Sequence, residues 1–351
     1  MITKIKSNIK GHINQSFDSS YVMFMGNNGA GKSSYIHSLE LALFSQAFDA
    51  SNKDVKQKSR LNMMTASGDE YSGWEDDGVY SIATIDGDKD ELFSRPTGYL
   101  NAIQLASKAM AGGTMALIKF IFDYADTTLP IVDVRHPHWD QIRQRHRSTS
   151  DALIVLEPVV SKNLRDYREA LKEYKIILKH LNSGLLAEAA AKGEIRRSSL
   201  AHIGAEAIEK VDLCKAALND IRNGLLNCLT DIAPSLEKEM VRYIPDGMGK
   251  PAFIFNKNEV YLAFEDRPFP SGAETVCLAA ALAAVLLPHE RSIFIYPDRA
   301  YDRQTLGKIM RVARTIPAQG VYIQCTDTPA GYDPEALGWQ LIQIDSRTGS
   351  A

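Results

Sequence analysis

The sequence predicts an α/β protein whose two sheet-forming halves are separated by an antiparallel helical hairpin. Three observations lead there. An apolar run of strand length, Tyr21-Val22-Met23-Phe24-Met25, passes through a glycine-rich turn into a segment with helical spacing. Apolar residues then recur at alternating steps of three and four across 164–185 and again across 207–232. Strand-length apolar runs return from residue 253 onward. The expected division is 1–160 for the N-terminal half, 161–233 for the hairpin and 234–351 for the C-terminal half.

Composition narrows the class. The chain has 351 residues, 45% of them hydrophobic and 24% charged, enough to bury a large core and too apolar for a disordered segment. Forty Lys and Arg against 43 Asp and Glu leave a net charge of −3, which excludes a whole-chain basic coat for nucleic acid. The N-terminus, Met1-Ile2-Thr3-Lys4-Ile5-Lys6, lacks the apolar stretch of a signal peptide. The longest apolar run, Val276 to Leu287, is too short to span a bilayer. A soluble, cytoplasmic protein with no membrane partner is expected. Cys214, Cys228, Cys277 and Cys325 are scattered and read as reduced core residues.

Taken in order, residues 21–25 form a continuous apolar strand of the kind buried on both faces of a parallel sheet. Ile36, Leu39, Leu43 and Ala47 then mark the packing stripe of a helix. Residues 49–78 are polar, lack periodicity and read as a long surface excursion. Val79–Ile85 and Glu91–Arg95 flank Asp86-Gly87 as a hairpin, and Ile131–Val134 is a further strand. The heptad segments fold most simply into an antiparallel coiled-coil hairpin roughly 30 Å long at 1.5 Å per residue. Gly193, Ser198, Ser199 and Gly204 fall in its connection and Pro234 closes it. Beyond it come a hairpin of Phe253–Phe255 with Val260–Phe264, a helix over Glu274–Leu287 and a strand at Ile293–Tyr296. A helix over Gln304–Arg314 and strands at Val321–Cys325 and Leu341–Ile344 complete the set.

The first strand and helix bracket Gly26-Asn27-Asn28-Gly29-Ala30-Gly31-Lys32-Ser33, which satisfies G-x-x-x-x-G-K-[ST] in the context that motif requires. Its glycines let successive backbone N–H groups turn inward around a phosphate, and the helix N-terminus adds partial positive charge. Lys32 is placed for the β and γ phosphates and Ser33 for Mg²⁺. The predicted ligands are ATP and Mg²⁺, and the binding set is residues 26–33 together with Ser34.

A second motif, Phe269-Pro270-Ser271-Gly272-Ala273-Glu274, opens the alanine-rich helix. Ser271 with Glu274 three residues on is also an ordinary capping box. Its position gives it further weight: a phosphate loop, a heptad hairpin, then S-G-x-E before a helix and an apolar strand. That order resembles the ABC-type ATPase heads of the SMC, RecF and double-strand-break-repair families. The resemblance implies an α/β P-loop NTPase fold with the hairpin inserted between the two halves of the head. It also implies that Ser271, Gly272 and Glu274 bind nucleotide held by another protomer, in a homodimer or heterodimer of heads sandwiching ATP. Membrane-transport ATPases are disfavoured, because they lack a heptad hairpin between the two motifs.

Two departures stand out. The family's next strand ends in Asp-Glu, whereas here it runs Ile293-Phe294-Ile295-Tyr296-Pro297-Asp298-Arg299. Counted from the signature, Asp298 takes the magnesium aspartate's place and Arg299 the glutamate's; counted back from Ala300-Tyr301-Asp302, both acids are lost. Asp298 is taken as the Mg²⁺ ligand alongside Ser33, since only a carboxylate near the strand end serves that chemistry. Asp327 stands where the family keeps a switch histidine, as a second catalytic candidate or as a turn cap before Pro329.

Arg135, His136, His138, Arg143, Arg145, His146 and Arg147 crowd around Trp139. They read as a phosphate-gripping patch for DNA or RNA, a solvated face or a protein interface. His136 and His138 lack a visible third metal ligand. The expected function is an ATP-dependent head-to-head dimer in DNA repair, replication or defence, with slow or partner-dependent hydrolysis. The alternative is a pseudo-ATPase scaffold regulating a separate nuclease or effector.

Overall fold

The computed structural model describes residues 2–7, 13–44, 59–65, 70–76, 79–84, 99–125, 134, 141–142, 144, 149–182, 197–257, 259–297 and 301–344. The chain divides into two compact units, one of residues 1–113, 234–254 and 261–351, the other of 114–233 and 255–260.

In chain order the first unit opens with β1 (Ile2–Ser7), β2 (Ile13–Ser16), β3 (Tyr21–Met25) and α1 (Lys32–Phe44). It continues with β4 (Ser59–Thr65), β5 (Glu70–Asp76), β6 (Val79–Thr84), β7 (Leu100–Asn101) and α2 (Ala102–Ala111). The second unit holds α3 (Thr114–Tyr124), α4 (Thr149–Asn182) and most of α5 (Arg197–Met240). After the hairpin of β8 (Pro251–Asn256) and β9 (Glu259–Phe264), the first unit resumes with α6 (Gly272–Leu286), β10 (Ser292–Tyr296), α7 (Arg303–Ala313), β11 (Gly320–Cys325) and β12 (Gln340–Gln343).

Five strands of the first unit form a parallel sheet in the order β12-β3-β11-β10-β7. β3 sits inside it, with Met23 opposite both Ile323 and Leu341, which is why its apolar run is unbroken: both faces are covered. Val22 and Phe24 meet Ile36, Leu39 and Leu43 of α1 in a core that also takes Ile2, Ile5 and Phe17. Met23 and Phe294 point to the opposite face by strand alternation and are fully buried. α2 and α6 pack against one another, and α2 also packs on β10. Every residue of α6 from Val276 to Ala284 is buried, so a helix apolar all round is the expected composition for that place.

The polar stretch 49–78 is not a loop throughout. β4 and β5 lie within it and extend an antiparallel sheet ordered β2-β1-β4-β5-β6, with Ile5 opposite Met63 and Leu61 opposite Gly73. An antiparallel ladder needs no continuous apolar run, and the polar composition of these strands conceals them. β6 pairs with β5 through Val79 opposite Asp76. The other arm proposed for it, 91–95, and the strand at 131–133 lie outside the described residues.

In the second unit the heptad residues Val211, Cys214, Leu218, Ile221 and Leu225 are buried along α5, and Leu164 along α4. Tyr174 lies against Gly204, and the Lys210 ammonium stands 5.6 Å from the centroid of the Tyr167 ring. Pairing 174 with 204 and 167 with 210 means the two helices run antiparallel. They are longer than the heptads suggest, at 34 and 44 residues. Two expected breaks do not occur. Ser198, Ser199 and Gly204 lie within α5, and the Tyr174 ring fills the space that a side chain at 204 would need. Pro234 is also inside α5 and does not end it; the missing N–H removes one helical hydrogen bond, and the division between compact units falls at that residue.

Candidate nucleotide site

All strands of the parallel sheet end at one edge, and the glycine-rich loop crosses that edge between β3 and α1. The edge beyond the carboxyl ends of parallel strands is where such sheets leave a crevice for ligands. Gly26 is held from two sides: its N–H donates to Cys325 O at 3.3 Å, and beside it Ile344 N–H donates to Met25 O at 2.7 Å. A Cβ on Gly26 would stand 2.5 Å from Ile344 O, so this glycine is required by close approach of the backbone. Gly29 and Gly31 are required for a different reason, their φ angles being +83° and +101°. Ala30 N–H donates to Asn27 O at 3.0 Å and Ser34 N–H to Gly31 O at 2.8 Å, which closes the loop onto the first turn of α1.

Lys32 is only 3% exposed. Its Nζ donates to Gly26 O at 2.8 Å and to Asn27 O at 3.2 Å, so the ammonium is folded over the mouth of the loop. Asn27, Asn28, Gly29 and Ser33 face solvent. An ammonium, a turn of backbone N–H groups and a helix start are donors only, and together they suit a polyphosphate. The exposed Ser33 hydroxyl fits a ligand to Mg²⁺. Asp298 and Arg299, the two residues after Pro297, which follows β10, lie outside the described residues.

Asp327 follows β11, whose last residue Cys325 bonds Gly26, so the carboxylate is carried by the strand beside the phosphate loop. It is exposed and makes no hydrogen bond or ion pair among the described residues. The segment after it is fixed: Arg303 Nε donates to Thr328 O at 2.8 Å, and Ala330 N–H donates to Arg303 O at 2.9 Å.

Ser271 is the N-cap of α6 and does form the capping box with Glu274. Ser271 N–H donates to Glu274 Oε2 at 2.7 Å, while Ser271 Oγ accepts from Glu274 N–H at a long 3.4 Å. Sequence reading missed the residue that holds this corner, Arg267. Its guanidinium bonds Glu274 Oε1 and the carbonyl of Met248, and lies 5.3 Å from the Phe264 ring centroid. Only its place four residues before Ser271 hinted at this. Asp302 caps α7, accepting from Gln304 N–H at 3.0 Å and Thr305 N–H at 2.8 Å. The Thr305 hydroxyl and these backbone donors hold its carboxyl below the usual range. Arg267, Ser271, Glu274 and Asp302 line one pocket of about 270 Å³, and no residue of 26–34 borders it.

Of the basic segment 135–147, only residues 141, 142 and 144 are described, all helical, so the arrangement of its arginines and histidines lies outside the described residues. No group of three metal-ligating side chains occurs among the described residues, and no described helix is long and apolar enough to cross a membrane.

No protein-family model matches the chain, and no curated protein matches it in sequence. Among solved structures it is similar to the Smc head domain of Pyrococcus furiosus, with an extended coiled coil and bound to the C-terminal domain of ScpA. That similarity has 13% identity and a TM-score of 0.45, covering 99% of this chain and 94% of that one. The recombination mediator RecF with ATP is similar at 13% identity and a TM-score of 0.42, covering 98% of this chain and 95% of that one. The Smc head domain of Pyrococcus yayanosii gives 11% identity and a TM-score of 0.44, over 99% and 95%.

Proposed function

We propose that this chain is a divergent SMC- or RecF-like ATP-binding head, which closes on a second copy around Mg-ATP and uses that closure in DNA transactions such as repair, replication or defence. One observation supports it above the others: the G-x-x-x-x-G-K-[ST] loop lies at the edge of the parallel sheet, with Gly29 and Gly31 at positive φ and the Lys32 ammonium over its mouth. Ser33 and Asp298 would hold Mg²⁺. Ser271, Gly272 and Glu274 would meet nucleotide bound by the partner copy.

Hydrolysis is slow in this reading, or depends on a partner protein. No Asp-Glu pair ends the strand that β10 forms, and Asp327, exposed and without a hydrogen bond or ion pair among the described residues, follows the strand that bonds Gly26. The same carboxylate favours a second reading, a pseudo-ATPase scaffold that binds ATP and regulates a separate effector or nuclease.

The deciding experiment measures phosphate release at saturating Mg-ATP with and without DNA, alongside molecular mass by light scattering with and without ATP. An ATP-dependent dimer with turnover raised by DNA is the expected result. Tight ATP binding without turnover favours the scaffold. The same mass with and without ATP overturns the head-to-head reading.

A further inference from the structure

The pocket beside the signature motif is bordered by Gly247, Arg267, Ser271, Glu274, Asp302 and Lys308. Its two acids are already matched. Glu274 is held by Arg267 and by Ser271 N–H, and Asp302 by the Thr305 hydroxyl and two backbone N–H groups. Lys308 is not. It is half-buried and makes no hydrogen bond or ion pair among the described residues. Its position is nevertheless defined: a Cβ on Gly247 would lie 3.4 Å from Lys308 Nζ, so the ammonium rests against a glycine whose φ is +82°. That glycine sits in a turn closed by Met248 N–H donating to Pro245 O at 3.1 Å, and the Met248 carbonyl in turn accepts from Arg267.

The N-terminal ends of α6 and α7 beside the pocket are already taken by Glu274 and Asp302, and what the pocket leaves open is the Lys308 ammonium and the exposed Ser271 hydroxyl. Both are donors to a phosphate oxygen. The phosphate loop of the same chain contributes nothing to it, so a nucleotide phosphate reaching it would arrive on another molecule. Phe269, two residues before Ser271, is 90% exposed, and a bare aromatic beside a polar pocket is the composition of a surface another chain covers.

We infer that Lys308 is a second phosphate-binding residue of the composite site, reaching in trans, beside Ser271, the phosphates of nucleotide held by the P-loop of a second copy. The inference rests on the head-to-head dimer proposed above. It adds a cation on α7 to a site otherwise built from the start of α6.

Full-length chains test it, with Mg-ATP as the probe. Lys308→Gln should leave the ATP affinity of the dilute monomer and the melting temperature unchanged, and raise the protein concentration needed for the ATP-dependent dimer by about tenfold, the scale of one lost charge-assisted contact. Lys308→Arg should restore most of that loss. A mixture decides whether the residue acts in trans: at a concentration where neither Lys32→Ala nor Lys308→Gln dimerises alone, combining them leaves one intact composite site and should recover an ATP-dependent heterodimer. A Lys308→Gln dimer as stable as the parent overturns the inference while leaving the dimer standing. So does a mixture that fails to complement, or a loss of ATP affinity in the monomer, either of which assigns Lys308 to its own chain's site. A parent chain that never dimerises with ATP overturns the proposed function, and this inference with it.

Discussion

The ring of Tyr174 on α4 occupies the space that a side chain at Gly204 on α5 would take, so that even a Cβ there would overlap it. This contact accounts for a glycine at 204 inside α5, where it reads as a loop residue. It also makes the sign of a substitution depend on the partner helix.

Alanine in place of glycine within a helix is ordinarily favourable by about 1 kcal/mol. Here overpacking against the ring, at about 1–3 kcal/mol, should outweigh that gain, and Gly204→Ala should destabilise the protein. In a Tyr174→Ala background the same change should stabilise it. Urea denaturation of the four chains of this cycle measures both signs. Destabilisation in both backgrounds would mean that something other than Tyr174 confines residue 204.

Gly26 and Lys32 separate the shape of the phosphate cradle from its charge. Gly26→Ala drives a methyl against Ile344 O and should push the end of β12 away from β3, lowering both stability and ATP affinity. Lys32→Ala removes the ammonium bonded to Gly26 O and Asn27 O and should weaken ATP binding by about tenfold or more. Calorimetric titration with Mg-ATP gives the affinities and thermal melting the stabilities. Unchanged affinity in the lysine variant would remove the nucleotide from this loop.

What was legible in the sequence was local. The strand, loop and helix of 21–44 are contiguous, and each carries its own signal: an apolar run, glycines at fixed offsets, a stripe at helical spacing. β10 and α6 were legible because burial on all sides leaves a run of apolar residues, and β11 because Val321, Tyr322 and Ile323 do the same ahead of Gln324. β4 and β5 were not, because an antiparallel ladder tolerates polar residues on either side of Leu61 and Met63. Gly204 reads as a break because the Tyr174 ring that accounts for a glycine there is remote in sequence, and Pro234 because a helix that loses one hydrogen bond at a proline here still continues to Met240. The corner built by Arg267, Met248 and Glu274, and the approach of Lys308 to Gly247, join segments that no spacing rule connects.

The four cysteines are buried and none of them is in a disulfide, and two of them make a pH test. Burial pushes the Cys277 thiol up to about 12, with Glu274 adding to it, and burial together with Asp231 pushes Cys228 up to about 11. Both should stay protonated and unreactive toward iodoacetamide at pH 8 until the chain unfolds. Unfolding lowers these values toward 9, so above that pH the unfolded chain releases protons that the folded one retains. Stability should therefore fall between about pH 9 and pH 12. Cys277→Ala should flatten part of that fall. Rapid labelling of native protein at pH 8 would show that these thiols are open to solvent.

Gln324 is 4% exposed on β11, opposite Phe24 of β3, and its Oε1 has no hydrogen-bond partner among the described residues. Strand alternation puts it on the same face as Tyr322, whose ring stacks on Phe24 at 6.4 Å between centroids. A buried carboxamide oxygen left without a donor costs about 1–3 kcal/mol. Methionine keeps the length of the side chain and removes that oxygen, so Gln324→Met should stabilise the nucleotide-free protein by about 1–2 kcal/mol in chemical denaturation. The strand continues to the residue that bonds Gly26, and the same measurement with saturating Mg-ATP is informative for that reason. A stabilisation that persists in full with nucleotide means that Gln324 is a packing residue in a poor environment. A gain that disappears with Mg-ATP means that the carboxamide acquires its partner when the phosphate loop fills, and a loss of stability without nucleotide refutes the assignment of an unpaired oxygen.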